Sequence, residues 1–400
     1  MKNDSSDKWG FETKAILKGQ SPDPSTGATI PPIYQTSTYT LEGIGETKGY
    51  CYSRTGNPTR SAAAECLASL ENGKFGFIYP SGIAAIHTVI QQLNPGDHVV
   101  TCEDLYGGAH RLFTQIVNKF GIEFDFVDAR DPDNFIKAIK PNTKLVWLET
   151  PSNPKMYLCD IKAVVDKVKA LAKSENREIL VGADNTFASP YLQRPLDFGV
   201  DMVMHSCTKY LGGHSDLLLG AIVVRDEELA EKFAYHQNAT GTIAAPFDCW
   251  LLMRGMKTLA VRMKQHHENS LSLAKWLEKH PLVKQVNCPA LESSPQNDLY
   301  KKQMDLYNGM ISFEIDADIE AVKGLVANLK IFQLAESLGG VESLSCHPAT
   351  MTHAAVPAER RKELGINDNL IRLSVGIESI HDLQADLEQA FAQLPAAAKA

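Results

Sequence analysis

Lys209, in the stretch Met204-His-Ser-Cys-Thr-Lys209-Tyr-Leu-Gly-Gly, follows a short apolar run and precedes a flexible glycine pair. Such a setting aims an amine into a pocket. A lone lysine is ordinarily a solvated surface residue, since Lys is almost never fully buried without a partner. Here Ser206, Thr208 and Tyr210 flank the amine, and Gly212-Gly213 lets the chain turn after it. An amine with an ordinary pKa of about 10.4 acts as a nucleophile or base at neutral pH only when it is desolvated or set beside other cations. A phosphate-bearing aldehyde held nearby gives a reason for that placement.

Asp184 closes a second apolar run, at the same sheet edge as Lys209 if both runs are strands. A carboxylate there can keep a pyridine nitrogen protonated, which makes the ring an electron sink for carbanion chemistry. The same residue would also cap a following helix, and local sequence does not choose between the two. Three places offer donors to a phosphate. Ser81-Gly82-Ile83 opens a helix, where free amides and the helix dipole converge and Gly82 allows close backbone approach. The hydroxyls of Ser206 and Thr208 form the second place. Arg54, in Tyr52-Ser-Arg-Thr-Gly, is the third: it can grip bidentately, although an arginine in a turn is more often exposed.

The elements that must position these groups follow from periodicity. Residues 1–60 are rich in Gly, Pro, Ser and Thr, show little helical pattern, yet carry Tyr34, Tyr39, Tyr50 and Tyr52. This predicts an extended arm that packs on something. Over residues 61–248, apolar runs (His98 to Cys102, Phe124 to Val127, Leu145 to Leu148, Ile179 to Ala183, Met202 to Met204, Ala221 to Val224) alternate with helical stretches. That pattern indicates βαβ units around a mostly parallel sheet, with ligands at the strand C-terminal ends. Residues 249–400 read as a smaller α+β domain: a long helical stretch from Cys249 to near His280, strands at Met310 to Ile315 and Leu370 to Ser374, and a closing helix bearing Leu383, Leu387, Ala390 and Leu394. An alanine-rich tail begins at Pro395.

The composition of the 400-residue chain, 44% hydrophobic and 22% charged, is that of a globular protein with ample core. A net charge of -8 without a basic stripe argues against nucleic acid as a partner. No apolar run is long enough for a membrane span or signal peptide, so a cytoplasmic location is expected. The eight cysteines show no C-x-x-C pair, so neither a disulfide framework nor a metal site is expected. No G-x-G-x-x-G follows a predicted strand, which disfavours a nicotinamide enzyme.

Assembled, these residues resemble the Cys/Met-metabolism (trans-sulfuration) family of pyridoxal-phosphate enzymes. The likeness runs from about Thr26 to Ala392. It includes Tyr52-Ser-Arg-Thr-Gly-Asn-Pro-Thr, Asp104-Leu-Tyr-Gly-Gly, Glu149-Thr-Pro-Ser-Asn-Pro, Asp184-Asn-Thr-Phe, Thr208-Lys-Tyr, Gly213-His-Ser-Asp, Glu336-Ser-Leu-Gly-Gly, Met351-Thr-His and Ile371-Arg-Leu-Ser-Val-Gly-Ile-Glu. Cys207, Gly212 and Ala109 depart from the usual pattern without removing a group the chemistry needs.

The resemblance implies an α/β fold of the aspartate-aminotransferase type (fold type I), with a seven-stranded-like central sheet and a smaller C-terminal domain. It implies pyridoxal 5′-phosphate as cofactor, bound to Lys209 as an internal aldimine, with Asp184 at the ring nitrogen, Asn153 at the ring hydroxyl and Tyr106 stacked on the ring. Ser81, Gly82, Ile83, Thr186, Ser206 and Thr208 complete the cofactor set. Tyr52 and Arg54 would reach the phosphate from a neighbouring subunit, in a homotetramer built as a dimer of dimers. For a small amino-acid substrate, Arg372 would clamp the α-carboxylate, with Asn153, Ser337, Glu336 and Arg111 as further contacts. Catalysis would fall to Lys209, Tyr106 and Asp184. Gly108 and Glu336 are shared with the cystathionine γ-lyases and γ-synthases of the family. Gln237-Asn-Ala-Thr-Gly followed by Pro246-Phe-Asp-Cys-Trp, and the region from Phe332 to Glu378, look most like cystathionine γ-lyase, so γ-elimination of L-cystathionine is the expected reaction, with γ-synthase, β-lyase, methionine γ-lyase and an idle cofactor-binding scaffold as rivals.

Overall fold

A computed structural model describes residues 8–354 and 356–394; the alanine-rich tail lies outside them. Seven strands form the central sheet: β1 Phe75–Tyr79, β2 His98–Cys102, β3 Glu123–Val127, β4 Thr143–Glu149, β5 Leu180–Asp184, β6 Met202–Ser206 and β7 Gly220–Val224. Their spatial order is β1-β7-β6-β5-β4-β2-β3, and only β7 runs against its neighbours. Every residue of β2 and of β7 is buried, as expected of strands covered by helices on both faces. The α/β expectation holds, and all six apolar runs named above are strands.

β1 escapes the sequence reading because glycine interrupts Phe75-Gly-Phe-Ile-Tyr. That glycine is needed: a Cβ on Gly76 would strike the Ala64 carbonyl in the helix α2, Pro58–Leu70. β1 runs parallel to β6 through the reversed β7. Its end therefore joins those of β4, β5 and β6 along one edge.

The arm is not featureless. It carries a seven-residue helix α1, Phe11–Leu17, and is tied down at Asn57. Asn57 accepts from the Thr59 and Arg60 amides at the start of α2, and its Nδ2 donates to the Tyr34 carbonyl at 2.9 Å.

Beyond residue 248, five strands (β8 Val283–Asn287, β9 Met310–Ile315, β10 Gln333–Leu334, β11 Leu344–Cys346, β12 Leu370–Ser374) form a second sheet in the order β10-β11-β12-β9-β8. Its own core runs from Leu273 to Leu394. The single helical stretch expected from Cys249 to His280 is two helices, Pro246–Met256 and Leu259–Leu277. The break brings Gly255 against the backbone of Gly212, where a Cβ would collide with a carbonyl. Arg262, on the second of these helices, then reaches across and donates to the carbonyls of Tyr210 at 2.7 Å and Gly255 at 2.8 Å. The loop after Lys209 is stapled in this way. No helix among the described residues is long and apolar enough to cross a membrane.

Candidate active site

A cavity of about 270 Å³ opens where the strand ends meet the second sheet. It gathers Ser81, Gly82, Ile83, Tyr106, Asn153, Asp184, Thr186, Ser206, Thr208, Lys209, Glu336, Ser337 and Arg372. Three residues named from sequence lie elsewhere. Tyr52 and Arg54 are exposed on the arm, the guanidinium 5.8 Å from the Tyr52 ring centre and donating to the Asn238 carbonyl at 2.9 Å. Arg111 is exposed at the end of the short helix α4, Gly107–Arg111, beside Tyr106.

Lys209 Nζ donates to Ser337 Oγ at 2.6 Å. Burial, and then the nearby Arg372, bring its pKa down from 10.5 to about 8, with Glu336 pulling the other way. The amine is thus poised to exchange a proton near neutrality. Ser337 stands at φ 90°, a conformation seldom adopted by a residue with a side chain. The turn serves two partners at once: its hydroxyl takes Lys209 and its carbonyl accepts from Arg372 Nη2 at 3.1 Å.

Arg372, on β12, is 2% exposed and donates through Nη1 to Asn153 Oδ1 at 2.9 Å. It has no carboxylate partner among the described residues, and its Nε is buried without a partner. A guanidinium kept in this state suits a carboxylate ligand. The segment holding Asn153 is fixed to the second sheet twice more. The Pro154 carbonyl accepts from Ser312 Oγ at 2.8 Å, and Lys155 pairs with Glu314 at 2.9 Å.

At the other wall, Asp184 accepts from the Thr186 amide at 3.0 Å, and Thr186 Oγ1 accepts from the Ser206 amide at 2.8 Å. Burial raises the Asp184 carboxyl above its ordinary value, while Thr186 and the field of His205 oppose the rise. Below lies a cradle. Ser81 caps the helix α3, Gly82–Ile90, accepting from the Ala84 amide at 3.1 Å. A Cβ on Gly82 would come within 2.9 Å of Ser206 Cβ and 3.1 Å of its Oγ, filling the space between helix start and hydroxyl. Tyr106 sits 47% exposed at the cavity edge, its ring against Gly108, where a Cβ would strike it. Burial raises the Tyr106 phenol and the Arg111 charge lowers it.

Sequence reasoning gave no role to Glu149, which lines the cavity at the end of β4 and accepts from the Tyr106 amide at 2.8 Å. Its signal was present, a strand-end acid like Asp184, but only the strand register sets the two side by side. Arg262 left no local signal.

A parallel-sheet edge carrying a desolvated lysine, a buried carboxylate beneath the cavity, an anion cradle at a helix start and an unpaired buried arginine defines a fold-type-I enzyme whose cofactor is pyridoxal 5′-phosphate. The cradle that a Cβ would fill and the donor set around it fit that group. Residues 12–392 match the model of the Cys/Met metabolism PLP-dependent enzymes, and the chain belongs to that family. It is similar to a protein of Coxiella burnetii named cystathionine beta-lyase, 51% identical over 95% of this chain and 97% of the relative. A Dictyostelium discoideum protein named cystathionine gamma-lyase is 47% identical over 94% and 96%. A solved structure of cystathionine gamma synthase from Xanthomonas oryzae pv. oryzae, in complex with aminoacrylate and cysteine, superposes with a TM-score of 0.92 at 42% identity, covering 96% of this chain and 98% of that one. The protein is a pyridoxal-phosphate-dependent lyase of sulfur amino-acid metabolism.

Proposed function

We propose that the enzyme cleaves L-cystathionine at its γ-carbon, giving L-cysteine, 2-oxobutyrate and ammonia. The observation that carries a substrate with two amino-acid ends is the layout of charge. Arg372 is buried and unpaired beside Lys209, Glu336 lines the same cavity at its exposed side, and Arg111 lies near Tyr106. A proximal carboxylate would meet Arg372 and a distal ammonium Glu336, and a distal carboxylate reaching past the cavity rim would meet Arg111.

Lys209 would hold the cofactor covalently, Asp184 its ring nitrogen and Asn153 its ring hydroxyl. The α3 amides with Ser206 and Thr208 would hold its phosphate. When bound, the cofactor supplies a protonated ring that withdraws electrons from the substrate Cα. Arg372 and Asn153 orient the α-carboxylate so that the Cα–H bond faces Lys209. Lys209 Nζ, with its pKa of about 8, takes the Cα proton and serves again at Cβ. The Tyr106 hydroxyl is the second acid-base group and protonates the departing sulfur. Tyr52 and Arg54 of a second copy would complete the phosphate site, in a cytoplasmic homotetramer; their exposed place outside this chain's own cavity supports that reading.

A second reading, cleavage on the β-side, is favoured by the name of the Coxiella relative. Product analysis separates them. The expected product from L-cystathionine is 2-oxobutyrate, whereas pyruvate would establish β-cleavage. New cystathionine from O-succinylhomoserine plus cysteine would establish a synthase, and no turnover at all an idle scaffold.

A further inference from the structure

Among the described residues, Glu149 is the acid of the cavity to which the cleavage chemistry assigns no task. It ends β4 in register with Asp184 at the end of β5, so the two carboxyls stand side by side on one face of the sheet. Both are buried, at 6% and 7% exposure. Glu149 Oε2 accepts from the Tyr106 amide at 2.8 Å. Tyr106 is the residue before α4, and that helix has no side-chain cap of its own. A bond from a rigid strand end therefore fixes where the phenol leaves the backbone.

The two carboxyls are not equivalent. Asp184 has the Thr186 amide and hydroxyl and the field of His205 to hold its ionised form. The Glu149 carboxyl faces Asp184 from β5 and Asp104 from the segment after β2, with only the Tyr106 amide in its favour. No lysine or arginine pairs with it among the described residues. Two adjacent buried carboxyls do not both ionise readily, and the proton goes to the one with less support. Burial and the Asp184 charge accordingly drive the Glu149 carboxyl well above the ordinary range.

We propose that Glu149 is a positioning residue, a neutral carboxylic acid that holds Tyr106 over the cavity through its backbone amide and leaves Asp184 as the charged member of the pair. The role rests on reading Tyr106 as the side chain that stacks on the cofactor ring.

The test is an equilibrium titration of the cofactor-free protein with pyridoxal 5′-phosphate, followed by visible absorbance, for Glu149→Ala, Glu149→Gln and Tyr106→Ala. Loss of a buried hydrogen-bond acceptor should weaken binding about tenfold in Glu149→Ala. Glutamine keeps a neutral acceptor in place, so Glu149→Gln should rescue affinity to within about threefold, with the pH midpoint of the visible band unchanged. The proposal fails if Glu149→Gln is as weak as Glu149→Ala, if its midpoint moves by more than about half a pH unit, or if Glu149→Ala binds like the parent. Unaltered binding by Tyr106→Ala would instead remove the stacking role itself. Should Glu149→Ala not fold, judged by its thermal melt, the midpoint of Glu149→Gln decides.

Discussion

Replacing Lys209 with methionine should stabilise the cofactor-free protein at neutral pH, and the gain should vanish as the solution becomes alkaline. The folded amine has a pKa of about 8 against an ordinary 10.5, through burial first and Arg372 second. At 1.36 kcal/mol per tenfold, keeping the ammonium charged in that place costs the fold about 3 kcal/mol. Because the folded value lies below the unfolded one, the cost is complete below pH 8. It drains away between about 8 and 10.5, where the folded amine is already neutral while the unfolded one still holds its proton. Methionine forfeits the bond to Ser337 Oγ, about 1 kcal/mol, and partial solvent access trims the electrostatic cost further. A net gain of about 1–2 kcal/mol at pH 7 remains. Urea midpoints of variant and parent at pH 7 and pH 10 measure it, since the other titrations cancel in the difference. No gain at pH 7, or an equal gain at both pH values, would refute the reasoning.

Three further outcomes are expected. Gly82→Ala should leave the cofactor-free protein folded, at a cost of about 1–3 kcal/mol for the 2.9 Å approach to Ser206, while phosphate-bearing cofactor binds far more weakly than in the parent; unchanged affinity in an absorbance titration would show that the cradle holds something else. Mixing inactive Arg54→Ala with inactive Lys209→Ala subunits should restore part of the activity, because some hybrid sites receive both intact residues, and no recovery after verified exchange would mean that Arg54 acts within its own chain. Glu336→Ala and Arg111→Ala should each lower kcat/KM for cystathionine by about 1.5–3 kcal/mol and change elimination from homoserine, which has no distal end, much less; equal losses on both substrates would reduce the two residues to general support of the site.

How much of this was legible in the sequence depends on how far apart the cooperating residues lie. Lys209 and Asp184 each sit where an apolar strand gives way to a polar turn, and Ser81-Gly82 where a helix opens, boundaries that local pattern marks. The central sheet was readable for the same reason, except at β1, where the demand for a glycine beneath α2 erases the apolar run. Pairing across strands leaves no such mark. Nothing near Glu149 announces Asp184, which only the strand register sets beside it, and nothing near Lys155 announces Glu314, which only the folded chain brings to it. The break between Met256 and Leu259 was equally hidden, since the sequence stays helix-compatible through it and the close approach of Gly255 to the Lys209 loop that accompanies it is a contact between distant segments.

The buried charges divide into two kinds, and the division separates scaffold from site. Lys155 and Glu314, 4% and 8% exposed, satisfy one another across the two sheets, and removing either would strand the other in an apolar setting. Among the described residues Lys209 and Arg372 have no such partner: one rests on a serine hydroxyl, and the other on an amide oxygen and a carbonyl. Asp184 shares its wall with a second acid, and among the described residues it has no lysine or arginine ion-pair partner. Each unpaired group therefore destabilises the empty protein, and each is complementary to a part of what the site binds: an aldehyde, a carboxylate, a protonated ring nitrogen. Binding energy that would otherwise be lost to desolvation on entry has already been spent in folding, so ligand and fold are thermodynamically linked. Substitutions that stabilise the empty fold at these positions should, for the same reason, weaken its grip on cofactor and substrate.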